Sequence, residues 1–192
     1  MGLNLITAAE YKAYKGINNP NQDAEINAII PKISSLVKNY CRRSFIDYYE
    51  DPKVEQFSGS SNPTEYYIRE TPLVSISSVE YSTDYGNTYT TLVNLVDYVY
   101  DTTKEAIIPL STKEFDPKPN SYRITYKAGY EVVPEDLKLS LLDLVTYYLK
   151  NDSAIHSPKA PGTNSVQIEY ITTTSLPAHI RRVLDLYVAD YT

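Results

Sequence analysis

The side chains able to do chemistry are few in this chain, and they lie far apart. His156 and His179 are the two histidines and Cys41 is the one cysteine. A structural zinc site needs Cys and His ligands at short, repeated spacings, and this set supplies none. No GxGxxG or Walker-type glycine loop is present to cradle a phosphate. No GxSxG elbow occurs, and neither histidine has a nucleophile beside it in sequence. A hydrolase working through His156 or His179 would need partners brought in from distant segments. Asp47, Glu50 and Asp51 form a carboxylate cluster of the kind that binds calcium, but it lacks the EF-hand spacing and glycine. It reads as a solvated acidic turn. Arg42 with Arg43, and Arg181 with Arg182, are pairs that could meet phosphate. No interleaved basic and aromatic track accompanies them, so solvated helix faces or ion pairs to another chain fit better. The expectation is a non-enzymatic protein with no catalytic residue, no cofactor and no metal.

The elements that carry these residues can be read from periodicity. Thr7 and Glu10 form a capping box that opens a short helix ended by Gly16. A second helix spans about Asp23 to Arg43. Its stripe of Ile26, Ile29, Ile30, Ile33, Leu36, Val37 and Tyr40 continues in phase across Pro31, which predicts a kink rather than a break. A strand meander is expected from Tyr48 to Lys127. Val54 and Phe57 mark its first strand, and Tyr66 to Arg69 its second. Val74 and Ile76 share one parity while Val79 and Tyr81 share the other, so a bulge belongs near Ser77–Ser78. Asp84-Tyr85-Gly86-Asn87 suits a hairpin loop with Thr88 to Val93 returning, and Tyr98–Tyr100 with Ala106–Ile108 makes a second hairpin. Tyr122, Ile124 and Tyr126 alternate with Arg123, Thr125 and Lys127 in a half-buried strand that stops at Gly129.

Pro134, Glu135 and Asp136 then open a third helix, about Pro134 to Lys150, whose apolar surface is broad enough to pack on two sides. Residues 151–165 read as an exposed loop. Val166, Ile168 and Tyr170 alternate as a short strand. Pro177 opens a last helix, with Ile180, Val183, Leu184, Tyr187, Val188 and Tyr191 on one face. The fold class is α+β, a helical core of about four helices with an inserted antiparallel β meander. It is read as one domain over 1–192, with N-terminal helices in 1–45, a β-rich insertion in 46–130 and C-terminal helices in 131–192.

The 192 residues suffice for one good core or two small ones. No basic start is followed by an apolar run and no stretch approaches ~20 apolar residues, so neither a signal peptide nor a membrane span is expected, and a cytoplasmic origin follows. The net charge of −6 is uneven. Residues 1–45 carry six basic and three acidic side chains, residues 46–130 seven and thirteen, and residues 131–192 five and eight. Such an acidic chain is poorly suited to wrapping nucleic acid, which needs many Lys and Arg contacts to phosphate. Tyrosine is abundant at 20 residues, against 3 Phe and no Trp. It suits strands and protein interfaces.

The order of segments carries a resemblance. ITAAEYKAY, then INAIIPKISSLVKNYCRRSF, then ETPLVSISSVEY and VDYVYD, then YKAGYEVVPEDLKLSLLDLVTYYLKND and SLPAHIRRVLDLY resemble tailed-phage head–tail connector (adaptor or head completion) proteins. The resemblance implies a ring of subunits, commonly twelve, in the virion neck. Such a ring docks beneath the portal protein after packaging, extends the DNA channel without binding DNA specifically, and receives a stopper or the tail. In that family the C-terminal helix often engages the portal, a role that falls here on residues 176–191. The candidate portal or subunit interface is Ile180, Arg181, Arg182, Leu184, Tyr187 and Tyr191, with Leu142 and Leu149 of the third helix. The isolated chain is expected to be a monomer or weak oligomer. The alternatives are a nucleic-acid-binding module using the basic N-terminal helices, or a tail or stopper completion protein.

Overall fold

Apolar stripes at helical spacing and alternating strands sort this chain into two compact units. The computed structural model describes residues 2–59, 65–110, 118–154 and 176–189. One unit holds Asn4–Arg42 and Pro134–Val188; the other holds Met1–Leu3, Arg43–Val133 and Ala189–Thr192. The α+β class holds, and the helices from the two ends of the chain form one unit.

The helical unit contains α1 (Ala8–Lys15), α2 (Asp23–Cys41), α4 (Glu135–Ala154) and α5 (Ala178–Asp185). At α1 the capping box is complete. The Glu10 N–H donates to Thr7 Oγ1 at 3.2 Å, and the Thr7 N–H donates to Glu10 Oε2 at 2.7 Å. Gly16 closes the helix at φ 67°, where glycine pays no steric penalty. α2 runs as one helix through Pro31. Ile26 and Ile30 before the proline and Ile33, Val37 and Cys41 after it are all buried, so one apolar face continues across it. α4 buries Leu137, Leu141, Leu142, Leu144 and Val145, while Leu139 faces out. α5 buries Ile180 and Leu184. Among the described residues, no helix is long and apolar enough to cross a membrane.

The strand unit contains the one-turn helix α3 (Asp47–Glu50) and strands β1 (Lys53–Phe57), β2 (Tyr66–Tyr67), β3 (Leu73–Tyr81), β4 (Thr90–Thr91), β5 (Tyr98–Asp101), β6 (Ala106–Pro109) and β7 (Tyr122–Ala128). The strand pairings are antiparallel, but they do not follow chain order. One sheet runs β1-β7-β3-β4 and the other β2-β6-β5. β7 is the central strand of the first sheet, with Tyr122, Ile124, Tyr126 and Ala128 facing in as their alternation predicts. The hairpin return is shorter than Thr88–Val93 suggests: Thr90 and Thr91 form the strand, and the Leu92 N–H adds one bond to the Val79 carbonyl at 2.8 Å.

The bulge expected near Ser77–Ser78 lies between Ile76 and Ser78, and a second lies between Leu73 and Ser75. The second turns Val74 outward and puts Leu73 opposite Ala128. A further difference sits in β1. Val54 points out and Glu55 points in beside Phe57. The parity of Val54 is opposite to that of Phe57, and it was the charged residue that belonged inside. The acidic segment Asp47–Glu50 forms the single turn of α3, where Asp47 Oδ1 accepts the Leu3 N–H at 2.9 Å. The candidate strand at Val166, Ile168 and Tyr170 lies outside the described residues.

Gly129 ends β7 at φ 104°. Its N–H donates to the Pro72 carbonyl at 2.8 Å, and the next N–H, of Tyr130, donates to the Phe45 carbonyl at 2.7 Å. A Cβ at position 129 would collide with that Phe45 carbonyl oxygen. Gly129→Ala is therefore expected to cost about 2 kcal/mol or more, from an unfavourable φ and a backbone clash together. Urea unfolding of the two proteins checks this, and an unchanged midpoint would contradict it.

Candidate assembly surfaces and the network behind them

Two layers of side chains matter here: those that hold surfaces in place and those that the surfaces display. In the strand unit the first layer is a buried polar network. Glu55 is only 6% exposed. Its carboxylate accepts the Tyr66 hydroxyl at 2.6 Å, the Tyr126 hydroxyl at 2.8 Å and the Arg69 Nε at 3.2 Å. The Tyr126 oxygen in turn accepts the Glu70 N–H at 3.2 Å. The Glu70 carboxylate accepts Ser44 N–H at 3.1 Å, Ser44 Oγ at 3.0 Å and Lys53 Nζ at 3.3 Å. Arg43 donates to the Thr71 carbonyl and hydroxyl. β1 and β7 of one sheet and β2 of the other thus share one carboxylate. Phe57 seals it, stacked on Tyr66 and on Tyr122.

A buried carboxylate is costly unless hydrogen bonds replace its water, and here several do so. Burial and the Glu55 carboxylate both push the Tyr66 and Tyr126 phenols well above their ordinary range. The helical unit repeats the motif at its surface. Tyr14 donates to Asp143 at 2.9 Å, Tyr40 to Asp185 at 2.5 Å and Tyr187 to Asp136 at 2.6 Å, each joining one helix, or the residues just past it, to another. The hydrogen bonds to Asp143 and Asp185 raise the Tyr14 and Tyr40 phenols.

The displayed layer includes a loop between β4 and β5. Val93 is 56% exposed, Leu95 75% and Val96 67%. The loop is stiff. The Val93 N–H donates to Asp97 Oδ2 at 2.9 Å, the Asp97 N–H to the Val93 carbonyl at 2.8 Å, and the Leu95 N–H to the Tyr98 carbonyl at 2.7 Å. Leu95 itself sits at φ 66°, a conformation that a leucine resists. Sequence reading missed this loop. The signal available was three large aliphatic side chains in four residues, without the alternation of a half-buried strand.

The residues singled out from sequence divide by burial. Ile180, Leu184 and Leu142 pack inside the helical unit. Leu149 and Tyr187 are half-buried. Arg181 and Arg182 are exposed, and Leu186 just beyond them is 77% exposed. Tyr191 and His156 lie outside the described residues. His179 is exposed on α5, and the buried Cys41 thiol donates to the Leu184 carbonyl at 3.6 Å. In the N-terminal helices Lys12 is paired with Asp23 at 2.6 Å and Lys15 lies over the Tyr14 ring. Among the described residues, no cluster of three or more His, Cys, Asp or Glu could hold a metal ion.

The family described as Head completion protein matches residues 4–189. The chain belongs to the head completion protein family. Among curated proteins, a head completion protein of Escherichia phage T5 is 23% identical over 186 residues, 96% of this chain and 98% of that protein. Among solved structures, a chain from the neck of an empty GTA particle computed with C6 symmetry is similar with a TM-score of 0.61 and 13% identity. It covers 100% of this chain and 97% of its own. A chain from the neck of a native GTA particle computed with C12 symmetry is similar with a TM-score of 0.58 and 13% identity, covering 100% and 97%. These likenesses show that the fold is shared over essentially the whole length.

For this family member the Glu55 network is where stability is most exposed to substitution. Glu55→Ala leaves the buried Tyr126 phenol and the half-buried Tyr66 phenol without an acceptor and is expected to cost about 3–5 kcal/mol, and Tyr126→Phe about 1.5–3 kcal/mol. Chemical denaturation checks both, and a loss below about 1 kcal/mol for Glu55→Ala would contradict the assignment. The phenols also make a pH prediction. Their folded pKa values are raised, so their contribution is complete below about pH 10 and is lost as pH rises past that value. The unfolding midpoint should fall above about pH 10, and less steeply in a Tyr66→Phe, Tyr126→Phe double variant.

Proposed function

We propose that this chain is a structural, non-enzymatic subunit of the virion neck. It forms a ring under the portal protein, continues the DNA channel, and offers the surface on which a stopper or the tail docks. The observation that carries this reading is the family match across residues 4–189. The fold shared with neck chains of GTA particles supports it.

The charge balance of the two units fits a conduit. The strand-unit residues 1–3, 43–133 and 189–192 carry eight basic and fifteen acidic side chains, a net of −7. The helical-unit residues 4–42 and 134–188 carry ten and nine, a net of +1. Acidic side chains near the channel would repel phosphates and let DNA pass without being held. Arg181 and Arg182 on α5, with Leu186 beyond, are among the exposed residues of the described C-terminal region and are open to contact with another subunit. The buried Ile180 and Leu184 would hold that face in position rather than form it.

Cryo-electron microscopy of particles made with and without this protein tests the reading. Density for the chain is expected at the neck, and particles lacking it should accumulate as filled or leaking heads without tails. Finding the chain in another part of the virion, or normal tail attachment in its absence, would overturn the proposal. The conduit role makes a second prediction. The purified protein should not shift duplex DNA in a gel at physiological salt, and a tight, sequence-independent shift would favour a nucleic-acid-binding module instead.

A further inference from the structure

The Val93–Val96 loop combines three properties seldom found together on an isolated surface. It exposes three large aliphatic side chains, it is braced by its own hydrogen bonds, and it holds Leu95 in a conformation that leucine resists. Exposed aliphatic clusters mark contact sites, and a pre-formed loop loses little entropy on binding. Strain kept at an exposed position points to a use for that side chain.

The charges around the loop indicate what it meets. Residues 71–103 contain no Lys or Arg and four acidic residues; Glu80 is offset by Arg123 of β7 at 2.7 Å, which leaves Asp84, Asp97 and Asp101. The acceptor should therefore be apolar at its centre and basic at its rim. The exposed face at the end of α5 has this character. Leu186 is 77% exposed, and the exposed Arg181 and Arg182 lie about one turn before it, with Asp185 4.0 Å from Arg181. A ring closed by rotation joins unlike surfaces of successive subunits, so a knob in one unit and its seat in the other fit that symmetry.

We infer that the Val93–Val96 loop of one subunit seats on the Arg181, Arg182 and Leu186 face of the neighbouring copy. The inference rests on the ring proposed above and names the contact that closes it. Leu95 supplies the central apolar anchor, and the acidic loop segment and the arginines align the two copies as they approach.

Cysteines at 95 and 186 in the full chain test this, in particles oxidised gently and run on a non-reducing gel. The Leu95→Cys, Leu186→Cys double variant should give a ladder of linked copies reaching the ring number, and neither single variant should. Only monomer, an intrachain link, or a link to the portal protein, in particles whose necks contain the chain, overturns the inference and leaves the neck assignment standing. Absence of the chain from the neck would instead sink the proposed function, and with it this contact. A second variant does not depend on cross-linking. Leu95→Gly relieves the left-handed backbone, so the subunit should be as stable as the parent or more so, while tailed particles fall at least about tenfold. Unchanged yield of tailed particles from a normally folded Leu95→Gly protein would overturn the inference.

Discussion

A tyrosine hydroxyl donating to a carboxylate is the interaction on which much of this protein rests. In the strand unit the buried Glu55 receives two such bonds, from Tyr66 and Tyr126. Around the helical unit Tyr14, Tyr40 and Tyr187 do the same for Asp143, Asp185 and Asp136. Each pair gives direction to a contact that apolar packing alone would leave free to slide. The bond is charge-assisted and therefore stronger than one between neutral groups. It also accounts for the composition, because 20 tyrosines and 3 phenylalanines make sense where rings must both fill space and reach a carboxylate.

The buried carboxylate constrains the register of both sheets. β1 contributes Glu55, β7 contributes Tyr126 and β2 contributes Tyr66, so three strands from two sheets must be in register for the network to close. A slip of one residue in β1 would bury Val54 and expose Glu55, leaving two phenols unpaired. The two bulges in β3 serve the same end. Nine residues of β3 lie along seven of β7, which keeps Leu73, Ile76, Val79 and Tyr81 opposite Ala128, Tyr126, Ile124 and Tyr122. A scaffold locked in this way can hold a strained loop at its surface, and the Val93–Val96 loop is such a loop.

For an assembly protein this division of labour is physically sensible. Among the described residues the Cys41 thiol meets a backbone carbonyl, the Glu55 carboxylate takes phenols and the Glu70 carboxylate takes Lys53. What the described surface offers instead is shape, exposed aliphatic side chains and an uneven charge. These are the means by which protein surfaces find and align with one another.

Local rules were enough to read a good part of this from the chain. The Thr7 and Glu10 cap, the stripe of α2, the alternation of β7 with its stop at Gly129, and the proline-started α4 depend on near neighbours in sequence, so they were legible there. The order of those elements also carried the family resemblance. Tertiary structure alone decided the rest. Glu55 reads as a surface residue until the phenols of Tyr66 and Tyr126, 11 and 71 positions away, are brought to it. The central place of β7 and the burial of Ile180, Leu184 and Leu142 are likewise set by contacts between distant segments. An amphipathic stripe tells that a side chain will be covered. It cannot tell whether its own subunit or another does the covering, because both bury the same apolar area.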